Sequence, residues 1–567
     1  MAKLTPEMLT KVAISERERQ ASYKGALMVC TGTGCVSAKG FIVRDELSRV
    51  LADRGLDNDY LVMGTGCHGF CAMGPIVLVQ PEGIFYQQIK PGDVECIVDD
   101  HLIGGTPVER LLFTDPVSGE RVSQVDEIGF FNKQELIALR NKGIIDPENI
   151  DHYIAKDGYA ALASVLSEGN PEGVIESVIR SGIRGRGGGG FPAGVKWQSG
   201  VAARLKRDSE IFVVSNADEG DPGAFMDRSI LETDPYSVIE GMVIGAYAVG
   251  AHEGFVYVRK EYPLALERLK KALSDARERG LLGFDILGSG FDFDIAIHVG
   301  AGAFVCGEST ALMASMSGPP GEPRAKYVHN VEHGFRDKPT ILNNVETWAN
   351  IPAILFKGAE WFASIGTGDV SENPWGGSTG TKVFSLVGDI NNTGLVEVPM
   401  GITLKEIIYD IGGGIPGGRA FKAVQTGGPS GGCIPESMLD MKVDFDTLAE
   451  VGSMMGSGGM IVMDEKTCMV DVARYFIDFL MDESCGKCTP CREGTRRLLQ
   501  LLEKLCGGNG EPGDIEIMKE LSYTIKDTAL CGLGQTGPNP VLSTLRYFRK
   551  EYEAHIYEKR CPAKRCT

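Results

Sequence analysis

Between residues 26 and about 100, short apolar runs alternate with polar turns. "ALMVC", "YLVMG", "PIVLVQ" and "GIFYQQI" read as strands, and 41–55 as a helix between them. This pattern predicts a small α/β domain over 23–104, preceded by an exposed helical extension over 1–22. Residues 105–160 mix apolar and polar positions without a period and are broken by Pro and Gly, the pattern of a linker. From 161 to 365, helical stretches alternate with strands such as 211–215 "IFVVS" and 254–258 "GFVYV", which predicts a larger α/β domain. The most apolar stretch, 237–251 "SVIEGMVIGAYAVGA", is too short and too interrupted to span a bilayer and reads as a buried helix. Turn chemistry at 366–380 marks a boundary. The order strand, turn, strand, helix, strand then predicts a β-grasp domain over 366–463. The rest, 464–567, is mainly helical, and no internal repeat is visible.

Length and composition narrow the class. A chain of 567 residues is too long for one core and predicts three to five domains. The composition, 43% hydrophobic and 23% charged, is that of a globular protein. A formal net charge of -19 argues against nucleic acid or an anionic membrane as the main partner. The charged N-terminus lacks the apolar core of a signal peptide. A cytoplasmic location follows as an expectation, and with it reduced thiols for the 15 cysteines, free to act as ligands rather than as disulfides.

Those cysteines sort into three sets. "ESCGKCTPCREG" places Cys485, Cys488 and Cys491 at C-x2-C-x2-C spacing, and "KDTALCGLGQT" supplies Cys531. Three thiolates in one turn plus a distant fourth suit a 4Fe–4S cluster better than zinc, which favours paired knuckles. "VCTGTGC" (Cys30, Cys35) and "GCHGFC" (Cys67, Cys71) suit a 2Fe–2S cluster held by two loops, with zinc or two unrelated thiol pairs as the alternatives. Glycines around each cysteine let backbone N–H groups approach the sulfurs. Third, His555 falls on the apolar stripe of the last helix, in line with Val541, Leu545, Phe548 and Tyr552, and "KRCPAKRC" follows with Cys561 and Cys566. Cys468 completes a Cys3His zinc set; the competing reading is a core histidine near two unrelated thiols. Cys96, Cys306, Cys433 and Cys506 read as structural.

Several loops add chemistry. "GIRGRGGGGFPAGVKW" (182–197) satisfies G-x-G-x-x-G, but a helix rather than a strand precedes it and no acidic residue follows at the dinucleotide spacing. It is not a Rossmann fingerprint. Its bare backbone can still close on a phosphate, Arg186 and Lys196 add charge, and Phe191 can stack on a flat ring. "NADEGDPGAFMDR" (216–228) is a carboxylate-rich loop, open to reading as a calcium site, a solvated turn or a set of acceptors for ribose hydroxyls. "HVGAGAFVCGESTAL" (298–312) is a third glycine-rich loop, and "ILNNVETW" (341–348) offers Asn343 and Asn344.

Taken in order, these motifs resemble the flavin-containing NADH-oxidising subunit family of respiratory complex I and its soluble relatives, the diaphorase subunits of hydrogenases and formate dehydrogenases. The resemblance covers about 110–560. It implies an FMN-binding α/β domain in which Gly185, Arg186, Gly187, Lys196, Asn216, Asp218, Glu219, Gly307, Glu308, Asn343 and Asn344 contact the flavin. It also implies that Phe191 stacks on the adenine of the nicotinamide dinucleotide and that Glu219 and Asp221 lie in the stretch that meets it. Asp221 and Ser309 stand where that complex I subunit commonly has Glu, which leaves NAD against NADP open. The N-terminal domain resembles a thioredoxin-like 2Fe–2S ferredoxin, and its fusion here, with "CPAKRC", is similar to the beta subunit of multimeric electron-bifurcating 2Fe hydrogenases. In that group the chain commonly continues into a ferredoxin-like domain with two more 4Fe–4S clusters.

The resemblance sets the expected mechanism. NAD(P)H and FMN exchange a hydride, so no side-chain acid or base is required at the reacting carbon. Electrons pass singly between FMN and the Cys485, Cys488, Cys491, Cys531 cluster, with the 2Fe–2S domain as a further relay on a mobile arm. A catalytic hydrogenase-type iron–sulfur subunit and a small 2Fe–2S subunit are the expected partners, with ferredoxin reached through the complex. A formate dehydrogenase assembly, or a flavin-less electron-relay scaffold, is the alternative.

Overall fold

The computed structural model describes residues 3–325, 327–369, 373 and 375–566. Its first helix, α1 (Pro6–Ala21), is followed by β1 (Gly25–Cys30), α2 (Gly40–Asp53), β2 (Tyr60–Thr65), β3 (Val77–Gln80) and β4 (Ile84–Tyr86). These strands form one sheet in the order β2-β1-β3-β4, with β1 parallel to β2 and the other neighbours antiparallel. This is the thioredoxin-like arrangement. Val43, Leu47, Val50 and Leu51 of α2 are buried against it.

The second domain follows the expected alternation. It contains α3 (Pro171–Arg180), α4 (Ala193–Arg207), β5 (Phe212–Ala217), α5 (Met226–Thr233), α6 (Pro235–Val249), β6 (Glu253–Arg259), α7 (Pro263–Glu278), β7 (Asp294–Gly300), α8 (Ser309–Met316), β8 (Thr340–Asn344) and α9 (Val345–Lys357). The sheet is all parallel in the order β8-β5-β6-β7. β5 and most of β6 are buried on both faces because helices cover both, whereas the edge strand β7 is partly exposed. The apolar stretch at 237–251 is indeed helical and buried, as α6.

A five-stranded sheet comes next, from β9 (Thr381–Gly388), β10 (Gly394–Pro399), β11 (Phe421–Thr426), β12 (Gly432–Pro435) and β13 (Gly459–Asp464), ordered β10-β9-β13-β11-β12. The mixed pairing, β9 parallel to β13 and the rest antiparallel, suits the β-grasp pattern. The chain ends in helices α10 (Met469–Asp482), α11 (Thr489–Cys506), α12 (Asp514–Thr528), α13 (Asn539–Tyr547) and α14 (Arg549–Tyr557). Leu498, Leu501, Leu502 and Leu505 of α11 are buried as its stripe predicts. The expected single last helix breaks at Phe548, whose φ of -125° leaves the helical region. The break lets the Tyr552 hydroxyl meet Thr544 Oγ1 at 2.7 Å, and His555 stays buried. Among the described residues no helix is long and apolar enough to cross a membrane.

Two expectations change. Helix α1 is docked, not exposed: Leu4, Leu9 and Ala13 join the core of the second domain, Leu4 N donates to Arg279 O at 2.8 Å, and Arg17 Nε donates to Ala155 O at 2.7 Å. The segment 105–160 is packed as well. Ile128, Phe130, Ile137, Leu139 and Ile145 are buried, and Phe130 stacks on Phe70 with ring centroids 4.1 Å apart. The amides of Ala138 and Leu139 donate to the Glu397 carboxylate at 2.9 and 2.8 Å. Pro and Gly punctuation suggested a free tether, but these aperiodic apolar side chains have a surface to bury against.

The thioredoxin-like domain is therefore docked rather than swinging on an arm. Cys67 N donates to Thr233 Oγ1 at 3.0 Å, and Thr33 N donates to the Glu232 carboxylate at 2.9 Å. Arg268, 1% exposed, donates to Thr31 Oγ1 and to Glu232 O, each at 2.6 Å. Gly66 sits in this contact, where a Cβ would lie 2.3 Å from Thr233 Cα. Main chain cannot yield as a side chain can, so Gly66→Ala is expected to pry the domain off. Small-angle scattering should show a larger radius of gyration and trypsin should cut faster within 105–160, with helical circular dichroism unchanged. A variant as compact and resistant as the parent would rule out the docked arrangement.

Candidate functional site

In an open parallel sheet, ligands bind outside the carboxyl ends of the strands, where neighbouring connections leave in opposite directions. Here that point lies between β5 and β8, because the chain runs from β5 outward to β6 and β7 and returns to the other side with β8. The last residues of the two strands are paired in register, Asn344 against Asn216. Above them opens a cavity of about 250 Å³.

Three of the predicted loops converge on it. From the glycine loop come Gly187, Gly188 and Gly189; from the carboxylate loop, Asn216, Asp218, Glu219, Asp221 and Asp227; from the third loop, Phe304, Val305, Gly307 and Glu308. Asn344 closes the floor. The glycines have a mechanical reason. Gly188, at φ +104°, lies so close to Gly456 that a Cβ would meet its main chain at 2.9 Å. A Cβ on Gly187 would meet Asn344 at 3.1 Å. No side chain can stand between the loop and the cavity.

Hydrogen bonds hold the polar lining. Asn216 Nδ2 donates to Gly307 O at 3.0 Å while its Oδ1 accepts from Asp218 N at 3.0 Å. Glu219 accepts from the amides of Asp227 and Arg228 at 3.1 and 3.2 Å, at the start of α5. Glu308 caps α8, accepting from Thr310 N and Ala311 N, each at 2.9 Å. Asn344 caps α9 through Glu346 N at 2.9 Å and donates to Asp227 Oδ2 at 2.5 Å. Asp221 accepts from Ser457 Oγ at 2.5 Å. Two buried atoms have no protein partner: Asp218 Oδ2 and Asn343 Nδ2. Asp218 lines the cavity, and an acceptor left open there fits a polar ligand.

The carboxylates are strained by desolvation. Burial pushes Asp218 up to about 7, against the pull of Arg259, whose Nη1 is 3.4 Å away. Burial likewise pushes Asp221 up to about 6 and holds Glu219 and Asp227 above the usual carboxylate range.

Five expected contacts lie outside the cavity lining, Asn343 among them. Arg186 is fully buried, and its guanidinium donates to the main-chain oxygens of Arg184, Thr379 and Thr381 at 2.8, 2.7 and 3.0 Å. Its side chain braces the loop from behind and brings no charge to the cavity. Lys196 Nζ donates to Leu342 O at 2.8 Å and Asn343 Oδ1 at 3.2 Å, and burial lowers it to about 8. Gly185 is spent on a turn, its N donating to Phe191 O at 2.9 Å. Phe191 is exposed at the rim.

Sequence reasoning missed the other half of the lining. Gly427, Ser430, Met454, Gly456 and Ser457 come from the β-grasp domain, and Gly532, Leu533 and Thr536 from the helical domain. The runs "TGGPSGG" and "MMGSGGM" carried the same bare-backbone signal as the first glycine loop.

The cysteines gather as expected. Cys485, Cys488, Cys491 and Cys531 surround a small void of about 10 Å³, whose wall includes Val305 and Leu533. The same two side chains line the larger cavity, so one layer of residues separates the two. Cys488 and Cys531 stand at helix N-termini, and burial raises the Cys531 thiol. In the N-terminal domain, Cys30 faces Cys35 and Cys67, and Cys67 faces Cys71. Gly69 N donates to Cys67 Sγ at 3.2 Å, and a Cβ on Gly74 would strike Cys35 Sγ at 2.6 Å. In the helical domain, ligand atoms of Cys468, His555, Cys561 and Cys566 all lie within 4.8 Å of one another. His555 Nδ1 meets Glu551 O at 2.7 Å, which leaves Nε2 facing the sulfurs.

Comparison with known proteins matches this layout. Residues 178–353 match the model of the Nuo51 FMN-binding domain, 383–434 an SLBB domain, and 471–555 the NADH-ubiquinone oxidoreductase-F iron–sulfur binding region. The chain is 59% identical over 435 residues to the NADP-reducing hydrogenase subunit HndC of Solidesulfovibrio fructosivorans, covering 77% of this chain and 86% of that one. The chain belongs to the NADH-oxidising flavin subunit family. It is also 44% identical over 428 residues to an NADH-quinone oxidoreductase subunit of Rhizobium meliloti, covering 76% of this chain and 99% of the relative. A solved NAD+-reducing [NiFe]-hydrogenase in the H2-reduced state superposes with a TM-score of 0.65 at 26% identity, over 97% of this chain and 90% of that one. The family's FMN-binding region contains the β5–β8 cavity floor, and its iron–sulfur region contains the Cys485, Cys488, Cys491 and Cys531 cage.

The raised acid gives a pH signature. Asp218 is protonated in the fold below about 7 but ionised in the unfolded chain above its ordinary 3.8. The fold thus holds more protons across that window, and stability falls as pH rises through it, by about 1.4 kcal/mol per pH unit at most. Asp218→Asn in ligand-free protein should melt at a higher temperature than the parent at pH 8, with the gap narrowing toward pH 4. Parallel pH profiles would refute the assignment.

Proposed function

We propose that this chain is the NAD(P)H-oxidising flavin subunit of a hydrogenase-type complex, carrying FMN, one 4Fe–4S cluster, one 2Fe–2S cluster and a zinc ion. FMN, when bound, supplies the exchange of a hydride for single electrons, and the clusters supply one-electron steps. The observation that carries the reading is the shared wall: Val305 and Leu533 line both the β5–β8 cavity and the four-cysteine void.

The chain's own residues position and insulate. Gly187, Gly188, Gly189 and Gly307 would give the flavin phosphate a wall without side chains, with Gly185 and Arg186 bracing the loop behind it. Asn216, Asp218, Glu219, Glu308, Asn343 and Asn344 offer hydrogen-bonding groups, with Asp218 Oδ2 and Asn343 Nδ2 still open. Lys196 steadies Asn343 from below. Phe191, Glu219 and Asp221 would meet the dinucleotide. No residue need move a proton at the nicotinamide carbon. Cys485, Cys488, Cys491 and Cys531 would hold the cubane, and Cys30, Cys35, Cys67 and Cys71 the 2Fe–2S cluster.

Helix α5 supports placing that second cluster in the relay. Its N-terminal amides bond Glu219 in the cavity, and its far end, through Glu232 and Thr233, bonds the loops of Cys35 and Cys67. An eight-residue helix spans about 12 Å.

Zinc fits the third set. A tetrahedral ion with Zn–S near 2.3 Å and Zn–N near 2.0 Å needs S–S edges of about 3.8 Å and N–S edges of about 3.5 Å. Cys468 Sγ and Cys566 Sγ are 3.6 Å apart, and His555 Nε2 lies 3.7 and 3.4 Å from them.

The similarity to a hydrogenase subunit favours a hydrogenase assembly over a formate dehydrogenase one. A catalytic iron–sulfur subunit and a small 2Fe–2S subunit are the proposed partners, with ferredoxin reached through them. A bifurcating complex in the cytoplasm is the setting we favour.

Anaerobic titration of the reconstituted protein with NADH and with NADPH should bleach the flavin with at least one nucleotide, after which cluster EPR signals appear. A flavin inert to both would leave only an electron-relay scaffold. Metal analysis should find one zinc per chain, lost in Cys561→Ser with flavin content retained; retention of zinc in that variant would remove Cys561 from the set.

A further inference from the structure

Two large aromatic side chains, Phe191 two residues beyond the cavity-lining Gly189 and Trp375 packed against it, are exposed. Phe191 is 41% exposed and Trp375 47% exposed. They come from segments far apart in the chain, yet their ring centroids are 4.9 Å apart at an interplanar angle of 81°. Isolated exposed aromatics are ordinary; a paired, edge-on set beside a cavity marks a binding surface.

The pair is held from beneath by one buried guanidinium. Arg184 Nε donates to Gly190 O at 2.7 Å, next to Phe191, and Nη1 donates to Gly377 O at 3.2 Å, two residues from Trp375. The same group bonds the Asp446 carboxylate at 3.0 Å and lies over the Phe445 ring at 4.6 Å. Gly185 N adds a bond to Phe191 O at 2.9 Å. Both anchors are main-chain oxygens, so the loops are located while the two rings stay free.

We propose that Trp375 completes, with Phe191, a corner-shaped subsite for the purine base of the nicotinamide dinucleotide. The inference rests on reading the cavity as the nicotinamide site. Gly187 to Gly189 line the cavity, and Phe191 follows two residues later, so the corner lies where the half of the dinucleotide remote from the reacting ring must leave. That half ends in a flat, weakly hydrated purine. Two rings at near right angles accept a flat base twice: its face stacks on one ring and its edge meets the other. Trp375 is thus a specificity residue for the coenzyme, without contact to the reacting atoms.

The test uses the reconstituted holoprotein with an artificial electron acceptor. Trp375→Ala should raise KM for NADH by about 10-fold, the worth of one base stack, with kcat unchanged. KM for reduced nicotinamide mononucleotide, which lacks the purine, should not move, and Trp375→Phe should restore most of the NADH affinity. An unchanged KM for NADH, or an equal rise for both substrates, would overturn the proposal and leave Trp375 a support for its loop. Binding of 5′-AMP is the second readout. Trp197 and Trp348 are fully buried and Trp361 is partly exposed, so the share of 5′-AMP quenching that disappears in Trp375→Ala, and not in Trp361→Phe, reports this corner. Quenching with a flavin inert to both nucleotides would sink the nicotinamide reading and keep the subsite. Active NADH oxidation without quenching would sink the subsite alone.

Discussion

The buried pair of Lys382 and Glu346 is the constraint on which the site depends. Both side chains are essentially inaccessible, at 0% and 1%. Isolated charges in such a place are expensive, and removing one partner of a buried pair typically costs about 3–5 kcal/mol. Here the pair is embedded: Glu346 also accepts from Val383 N at 2.9 Å, and Lys382 Nζ also donates to Val383 O at 2.6 Å. Glu346 lies two residues beyond Asn344, in the first turn of α9; Lys382 lies on β9 of the β-grasp sheet. Arg186 grips the same strand entry through Thr379 O and Thr381 O. The glycine loop, the asparagine loop and the β-grasp sheet are thereby locked in one geometry by groups that bind no ligand themselves.

This lock explains why the cavity can be built from three domains. The parallel sheet supplies a floor at its switch point, but its own loops leave one side open. Gly456 closes against Gly188, and Ser457 bonds Asp221. The helical domain closes the far side with Leu533, next to Cys531. On the opposite flank, α5 carries the carboxylate loop to the thioredoxin-like domain. Every wall is thus also the support of a cluster cage or of a neighbouring domain, and small shifts between domains would be felt at the ligand.

Much of this was legible in the chain. The spacing of Cys485, Cys488 and Cys491, the two N-terminal pairs, and the stripe that places His555 each announced side chains that the fold brings together, because thiolate chemistry tolerates few spacings. The strand–helix alternation announced the parallel sheet. What could not be read were contacts set by tertiary packing. Arg186 sits in a motif that suggests phosphate, yet three main-chain oxygens behind the loop claim its donors. Residues 105–160 lack periodicity because their apolar side chains fill gaps between domains rather than one face of an element. Gly427, Gly456 and Leu533 carry no chemistry of their own and enter the cavity only because their domains dock there.

The cavity's acids take a last step of reasoning. Five carboxylates line it, Asp218, Glu219, Asp221, Asp227 and Glu308, and a dinucleotide or a flavin brings phosphates of the same sign. Fully ionised, such a set would repel its ligand. Burial answers this by raising Asp218, Glu219, Asp221 and Asp227, with Asp221 reaching about 6 and Asp218 about 7. A carboxyl near its own pKa at neutral pH can accept from a hydroxyl as the anion or donate to an oxygen as the acid. Arg259 beside Asp218 and Ser457 beside Asp221 pull the other way, so neither acid is fixed in one state. Desolvation by the surrounding domains is what makes an acidic cleft compatible with an anionic ligand, and it is the buried Lys382–Glu346 lock that keeps those domains close enough to desolvate it.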